Sequence, residues 1–216
     1  MKKAVIISGG KIQTDFALDF LKKNKWDFVI GADRGLVFCH HQQILPTHIV
    51  GDFDSAGEEE YVYYHEHTDI PIRRLNPVKD FTDTDVALRL ALELGAQEIC
   101  ILGGTGTRLD HVAANIRTLS IAMKQGVWAY LLDENNKIYL TDHALKIQKE
   151  VQFGTYLSLF AVGEPVENLT LEGMYYPLDG YRLSGLDPLC VSNEIAEKEG
   201  KISFSKGVLL VIESKD

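Results

Sequence analysis

Cysteine is scarce in this chain: of 216 residues only Cys39, Cys100 and Cys190 are cysteines. The number is odd and no CxxC pair occurs, which argues against a disulfide framework and against a thiolate zinc site. Long apolar runs are missing as well. No stretch approaches the ~20 residues a membrane-crossing helix requires, and the short run at 4–7 stops at Ser8-Gly9-Gly10, too early for a signal-peptide core. No low-complexity tract and no internal repeat is found. Positive charge is also in deficit, with 22 Lys and Arg against 31 Asp and Glu and a formal net charge of −9. The overall field repels phosphate backbones, so nucleic acid is not an expected partner. Neither is a membrane, and a reducing, cytoplasmic setting is expected. A smaller anionic substrate would need local neutralisation by a metal ion, a few basic side chains or helix N-termini.

What is present is an ordinary globular composition, 45% hydrophobic and 25% charged, on a chain long enough to bury a core. In the first part, β-branched runs alternate with helix-period segments, the pattern of a parallel sheet with helices on its faces. KAVIIS, DFVIGA, THIVGD, EICILG and WAYLLD read as strands, each followed by a Gly or Asp cluster. Two helices carry clear end signals. One is capped by Thr82 and stops at Gly95, and the other runs from about Leu109 to Gly126. The second is expected to bury Val112, Ile116, Leu119 and Met123, with His111 and Asn115 on a face away from that stripe. After about Asn136 the texture changes to short strand-like runs without a strong helix. The expected organisation is an α/β part at 1–135 followed by a small antiparallel β-sandwich at 136–216.

Polar residues gather where the strands of the first part end, the place where open α/β sheets bind ligands. Gly51-Asp52-Phe53-Asp54-Ser55 follows the strand THIV. Its carboxylates suit a hard cation such as Mg²⁺, which takes oxygen ligands and shares them with substrate phosphates; an Asx turn with Asp54 capping a helix is the plainer alternative. The segment from Lys79 to Asp85 places Asp80, Asp83 and Asp85 around a helix start, where free N–H groups favour phosphate and where capping alone also explains acids. Gly103 to His111 forms a glycine-rich strand-to-helix turn with Arg108 as a fork of donors, and it is neither a Walker loop nor GxGxxG. Asp33, in Gly31-Ala32-Asp33-Arg34-Gly35, adds another carboxylate at a strand end. His65-Glu66-His67 reads as a solvated helix face rather than a metal site.

GADRGL, GDFDS, KDFTDTD and GGTGTRLDHVAANI, in this order, resemble the thiamine pyrophosphokinase family, and GMYYPL and VSNE resemble its thiamine-binding β-domain. The resemblance implies a Rossmann-like α/β domain followed by a β-sandwich, working as a homodimer with sites between domains and subunits. It implies transfer of the pyrophosphoryl group of ATP to the hydroxyl of thiamine, with Mg²⁺ held by Asp52, Asp54 and Asp83 and with Asp33 beside them. It further implies a nucleotide site made with Arg34, Gly35, Lys79, Thr82, Gly104, Arg108, Asp110, His111 and Asn115. Ser192 and Asn193 match the stretch near thiamine, and Tyr176 stands where some members carry a tryptophan stacked on the thiamine ring. Two other readings fit the same acidic strand ends: a metal-dependent nucleotide phosphohydrolase, and a non-enzymatic thiamine or nucleotide sensor.

Overall fold

The computed structural model describes residues 1–53, 58–75, 81–106 and 108–216, and the chain divides into two compact units, Met1–Glu134 and Asn135–Asp216. The first unit alternates strand and helix throughout. Its elements are β1 (Lys3–Ile7), α1 (Thr14–Lys23), β2 (Phe28–Ala32), α2 (Gly35–His41), β3 (His48–Gly51), α3 (Glu58–His67), β4 (Ile72–Arg74), α4 (Asp83–Glu93), β5 (Glu98–Leu102), α5 (Leu109–Met123) and β6 (Trp128–Leu132).

All strand pairs in this unit are parallel, and they lie in the order β6-β5-β1-β2-β3-β4. From β1 the chain therefore proceeds to one side through β2, β3 and β4, then returns to place β5 on the other flank of β1. The strands read as unbroken apolar runs because both faces of a parallel sheet are covered; Ala4, Val5, Ile6 and Ile7 are all fully buried. Helices α2 and α4 pack on the β1–β2 region, and α5 packs on β6 and α4.

Local chemistry sets the helix ends. The Thr82 side chain accepts the Asp85 N–H at 3.2 Å as the N-cap of α4, and Gly95 takes a left-handed φ of 82° just past its end, as a C-terminal glycine does. Helix α5 departs from the sequence expectation in its rotation. Its buried residues are Asn115, Thr118, Leu119 and Ala122, whereas Val112, Ile116 and Met123 are only half-buried. Asn115 faces inward because its amide finds a partner there, as the site below shows. His65, Glu66 and His67 lie exposed on α3, as expected of a solvated face.

The second unit holds β7 (Asn136–Thr141), β8 (Leu145–Gln148), β9 (Tyr156–Ala161), β10 (Val166–Glu172), β11 (Leu178–Leu183), β12 (Asn193–Glu194), β13 (Glu199–Ser203) and β14 (Leu209–Ser214). They form two antiparallel sets, β12-β9-β14-β7 and β11-β10-β13-β8. Alternation is clean in β14, where Leu209, Val211 and Glu213 are buried and their neighbours half-exposed. Glu213 is tolerated because its carboxylate accepts the Phe153 N–H at 2.7 Å. The three cysteines are free and buried, and burial raises the Cys39 thiol to about 12, so it is inert as a nucleophile.

Candidate active site

The strand order reverses at β1, and the carboxyl ends of β1 and β5 flank that switch point. An open α/β sheet leaves a crevice there, because the connections leave the two neighbouring strands in opposite directions. A cavity of about 320 Å³ occupies this place. Its floor is main chain from Ser8, Gly9 and Gly10 after β1 and from Gly103, Gly104 and Gly106 after β5. The two loops touch backbone to backbone: the Gly10 N–H donates to the Gly103 carbonyl at 3.0 Å, and a Cβ on Gly10 would stand 2.3 Å from that oxygen. No side chain fits between them.

The walls carry the chemistry. Asp33 and Arg34, at the end of β2, line one part, and Thr82, Asp83 and Thr84, at the start of α4, line another. Arg108, His111 and Asn115 complete the lining from the α5 side. Asp33 holds a left-handed φ of 47°, a conformation that aspartate tolerates better than bulkier residues. Its N–H donates to Val50 O at 2.8 Å and its carbonyl accepts the Leu36 N–H at 2.9 Å, so the turn is pinned from both sides.

Two interactions fix the α5 side. Asn115, buried, donates from Nδ2 to the Gly104 carbonyl at 2.8 Å, so the side chain buttresses the glycine loop as well as lining the cavity. Arg108 grips Asp110 with two donors, Nη2 to Oδ2 at 2.6 Å and Nε to Oδ1 at 3.2 Å. That hydrogen-bonded guanidinium pulls the exposed Asp110 carboxyl down to about 2. Helix α5 begins at Arg108 without a side-chain N-cap. The His111 N–H is taken by Asp110 Oδ1 at 3.0 Å, which leaves the N–H groups of Leu109 and Asp110 to face an anion.

The cavity brings together Asp33, Arg34, Thr82, Asp83, Gly104, Arg108, His111 and Asn115 from the sequence-derived set. Among the described residues Gly35, Asp52 and Asp110 stand outside the lining. Gly35 has another task, since a Cβ there would lie 1.8 Å from the Ile7 carbonyl oxygen; glycine lets the start of α2 abut the end of β1. Asp52 follows Gly51 at the end of β3, where a Cβ on Gly51 would sit 3.2 Å from the Asp33 Cα. Asp54 and Lys79 lie outside the described residues. Among the described residues no three of His, Cys, Asp and Glu converge so as to hold a metal by themselves.

Sequence reasoning passed over Ser8, Gly9, Gly10 and Thr84. Ser8-Gly9-Gly10 follows a strand just as GDFDS and GGTG do, and that placement was the available signal. Thr84 lies within KDFTDTD, and that placement was its signal.

In the second unit, Tyr176, Ser192 and Asn193 are neighbours in space. The Asn193 Oδ1 accepts the Tyr176 N–H at 3.1 Å, and its Nδ2 donates to the Tyr176 carbonyl at 2.8 Å. Oδ1 also accepts the Glu194 N–H at 2.9 Å. Buried Asn193 thus ties the chain before β11 to β12, and Tyr176 itself is 69% exposed. Ser192 sits at φ 57° with its N–H donated to Ser158 Oγ at 3.0 Å.

An open parallel sheet with glycine main chain and carboxylates at its switch point, in a chain that also carries an antiparallel β unit, belongs to the class of α/β proteins that take ligands at the strand ends. Comparison with known proteins narrows the class. Residues 21–131 match the family described as thiamin pyrophosphokinase, catalytic domain, and residues 142–209 match thiamin pyrophosphokinase, vitamin B1 binding domain. A thiamine pyrophosphokinase of Bacillus subtilis is 35% identical over 187 residues, 87% of either chain. The crystal structure of a B. subtilis thiamine pyrophosphokinase superposes over the whole of both chains with a TM-score of 0.87 and 32% identity. A thiamin pyrophosphokinase family protein of Enterococcus faecalis does so with a TM-score of 0.82 and 32% identity. The chain belongs to the thiamine pyrophosphokinase family.

Proposed function

We propose that this protein transfers the pyrophosphoryl group of ATP to the hydroxyl of thiamine, giving thiamine diphosphate and AMP. The observation that carries the reading is the switch-point cavity, in which glycine main chain, a helix start, a guanidinium and two aspartates share one space. Membership of the family supplies the substrates.

The polyphosphate lies against the glycine loops and the start of α5, where N–H groups point at anionic oxygens. Arg108 adds a planar fork held in place by Asp110. Lys79 is assigned to the same nucleotide site from its motif. Asp83 on the wall, Asp52 after β3 and Asp54 two residues on form an all-oxygen donor set that suits Mg²⁺, with Asp33 beside them. Among the described residues too few carboxylates converge for a protein-only cage, which fits an ion shared with phosphate. When bound, such an ion offsets charge on the polyphosphate.

The residues of the second unit orient the acceptor. The exposed Tyr176 ring offers an aromatic face to the cationic thiamine, Ser192 a hydroxyl, and Asn193 the clamp that sets the Tyr176 backbone. The thiamine hydroxyl attacks the β-phosphorus, the bond to the α-phosphate oxygen breaks, and AMP leaves. Positioning of attacker and leaving group provides most of the rate, and Asp33 or Asp54 accepts the hydroxyl proton. The nucleotide role is assigned to 1–135, the thiamine role to 136–216, and the working form is a cytoplasmic homodimer.

Incubation with ATP, Mg²⁺ and thiamine, resolved for AMP and thiamine diphosphate, tests this. Equal formation of both products, lost with excess EDTA and restored by Mg²⁺, is the expected result. Phosphate release that ignores thiamine would instead identify a phosphohydrolase, and binding of either substrate without turnover a sensor.

A further inference from the structure

We propose that the buried hydroxyl pair of Ser8 and Thr84 is a hydrogen-bond donor to an anionic oxygen of the nucleotide. The inference deepens the reading above and rests on it for the identity of the ligand. Ser8 closes β1 and Thr84 lies in the first turn of α4, yet their oxygens meet at 2.6 Å. Both residues are only 6% exposed, and both line the cavity.

Two hydroxyls bring two protons, and only one of them can lie between the oxygens. Among the described residues neither hydroxyl has another hydrogen-bond partner. The second proton is therefore left for a group in the cavity, because a buried donor without an acceptor is costly. Asp33 and Asp83 share the lining, but the groups nearest the pair offset an acceptor's negative charge. The N-terminal turn of α4 places the positive end of its dipole beside Thr84, the Gly9 and Gly10 backbone adjoins Ser8, and Arg108 stands in the same lining. A phosphoryl oxygen satisfies the spare proton and uses the pair's fixed geometry, while an uncharged nucleoside has nothing to place there.

Titration calorimetry with ATP, and with adenosine as a probe without phosphate, tests the pair in Ser8→Ala, Thr84→Val and Thr84→Ser. Loss of one hydrogen bond to a charged acceptor predicts about tenfold weaker ATP binding in Ser8→Ala and Thr84→Val. Thr84→Ser, which keeps the hydroxyl, should stay within about twofold of wild type, and adenosine affinity should not move. In turnover the same variants raise the KM for ATP and leave the KM for thiamine unchanged. Equal weakening of ATP and adenosine, a Thr84→Ser variant as weak as Thr84→Val, or unchanged ATP affinity would each overturn the proposal. A wild type that binds ATP but makes no thiamine diphosphate would defeat the reaction assigned above and leave the calorimetric comparison decisive.

Discussion

Replacing Asn115 with leucine probes how the glycine floor is held. The Nδ2 of this residue donates to the Gly104 carbonyl at 2.8 Å, and the side chain is only 5% exposed. Leucine is of similar size but has no donor, so it leaves a buried carbonyl without its partner. Such a change costs about 1–3 kcal/mol rather than the smaller net value of a hydrogen bond exchanged with water. At ~2 kcal/mol the unfolding midpoint of a chain of this length falls by about 4–8 °C. His111→Ala, one turn earlier on the same face but exposed, should leave the midpoint where it is. Thermal unfolding followed by circular dichroism measures both, and ATP titration of the folded Asn115→Leu protein should show weaker binding because the Gly104 loop is no longer fixed. An Asn115→Leu variant that melts with the wild type and binds ATP equally well would refute the idea that this amide supports the floor.

Asp33→Asn should keep the melting temperature while turnover falls sharply, whereas Asp33→Val should also lose about 1–2 kcal/mol because a β-branched residue resists the left-handed φ of 47°; denaturant titration separates the two. Asp110 carries its charge down to about pH 2. A depressed carboxyl contributes above its ordinary range and loses that contribution as pH falls through the lowered value, so ATP affinity should show no Asp110-linked step between about pH 5 and 9. Asp110→Asn should weaken ATP binding without a change in melting temperature, since the pair is exposed, and calorimetry beside a melting curve checks this. Tyr176→Ala should raise the KM for thiamine in keeping with a lost cation–π contact of about 0.5–2 kcal/mol and leave the KM for ATP alone; an unchanged thiamine KM would remove Tyr176 from the site.

Much of the α/β unit was legible because its signals are local. Apolar runs gave the strands β1, β2, β3, β5 and β6, and Thr82, Gly95 and Gly126 marked helix ends by capping chemistry. Strands β4, β11 and β12 escaped notice, since IRR, LDGYRL and NE carry charge, glycine or too few residues to show alternation. The rotation of α5 was misread for a similar reason. Periodicity ranks apolar residues first, and Asn115 is inward because the Gly104 carbonyl, in the glycine turn that precedes the helix, awaits it. The same limit hid the Ser8–Thr84 contact, which spans the length between β1 and α4. Strand-end carboxylates could be seen one by one, but that Asp33 and Asp83 line one cavity follows from the strand order, which residue patterns do not encode.

The bed of the cavity is built almost wholly from peptide units, and this has a consequence for how the protein can vary. Peptide amides look alike whatever residue bears them, so exchanges elsewhere can reshape what surrounds a nucleobase or an acceptor while the cradle beneath keeps its character. Vulnerability is correspondingly narrow: at Gly10, a single added carbon would collide with the Gly103 oxygen, and a methyl group there would do what no distant charge reversal can.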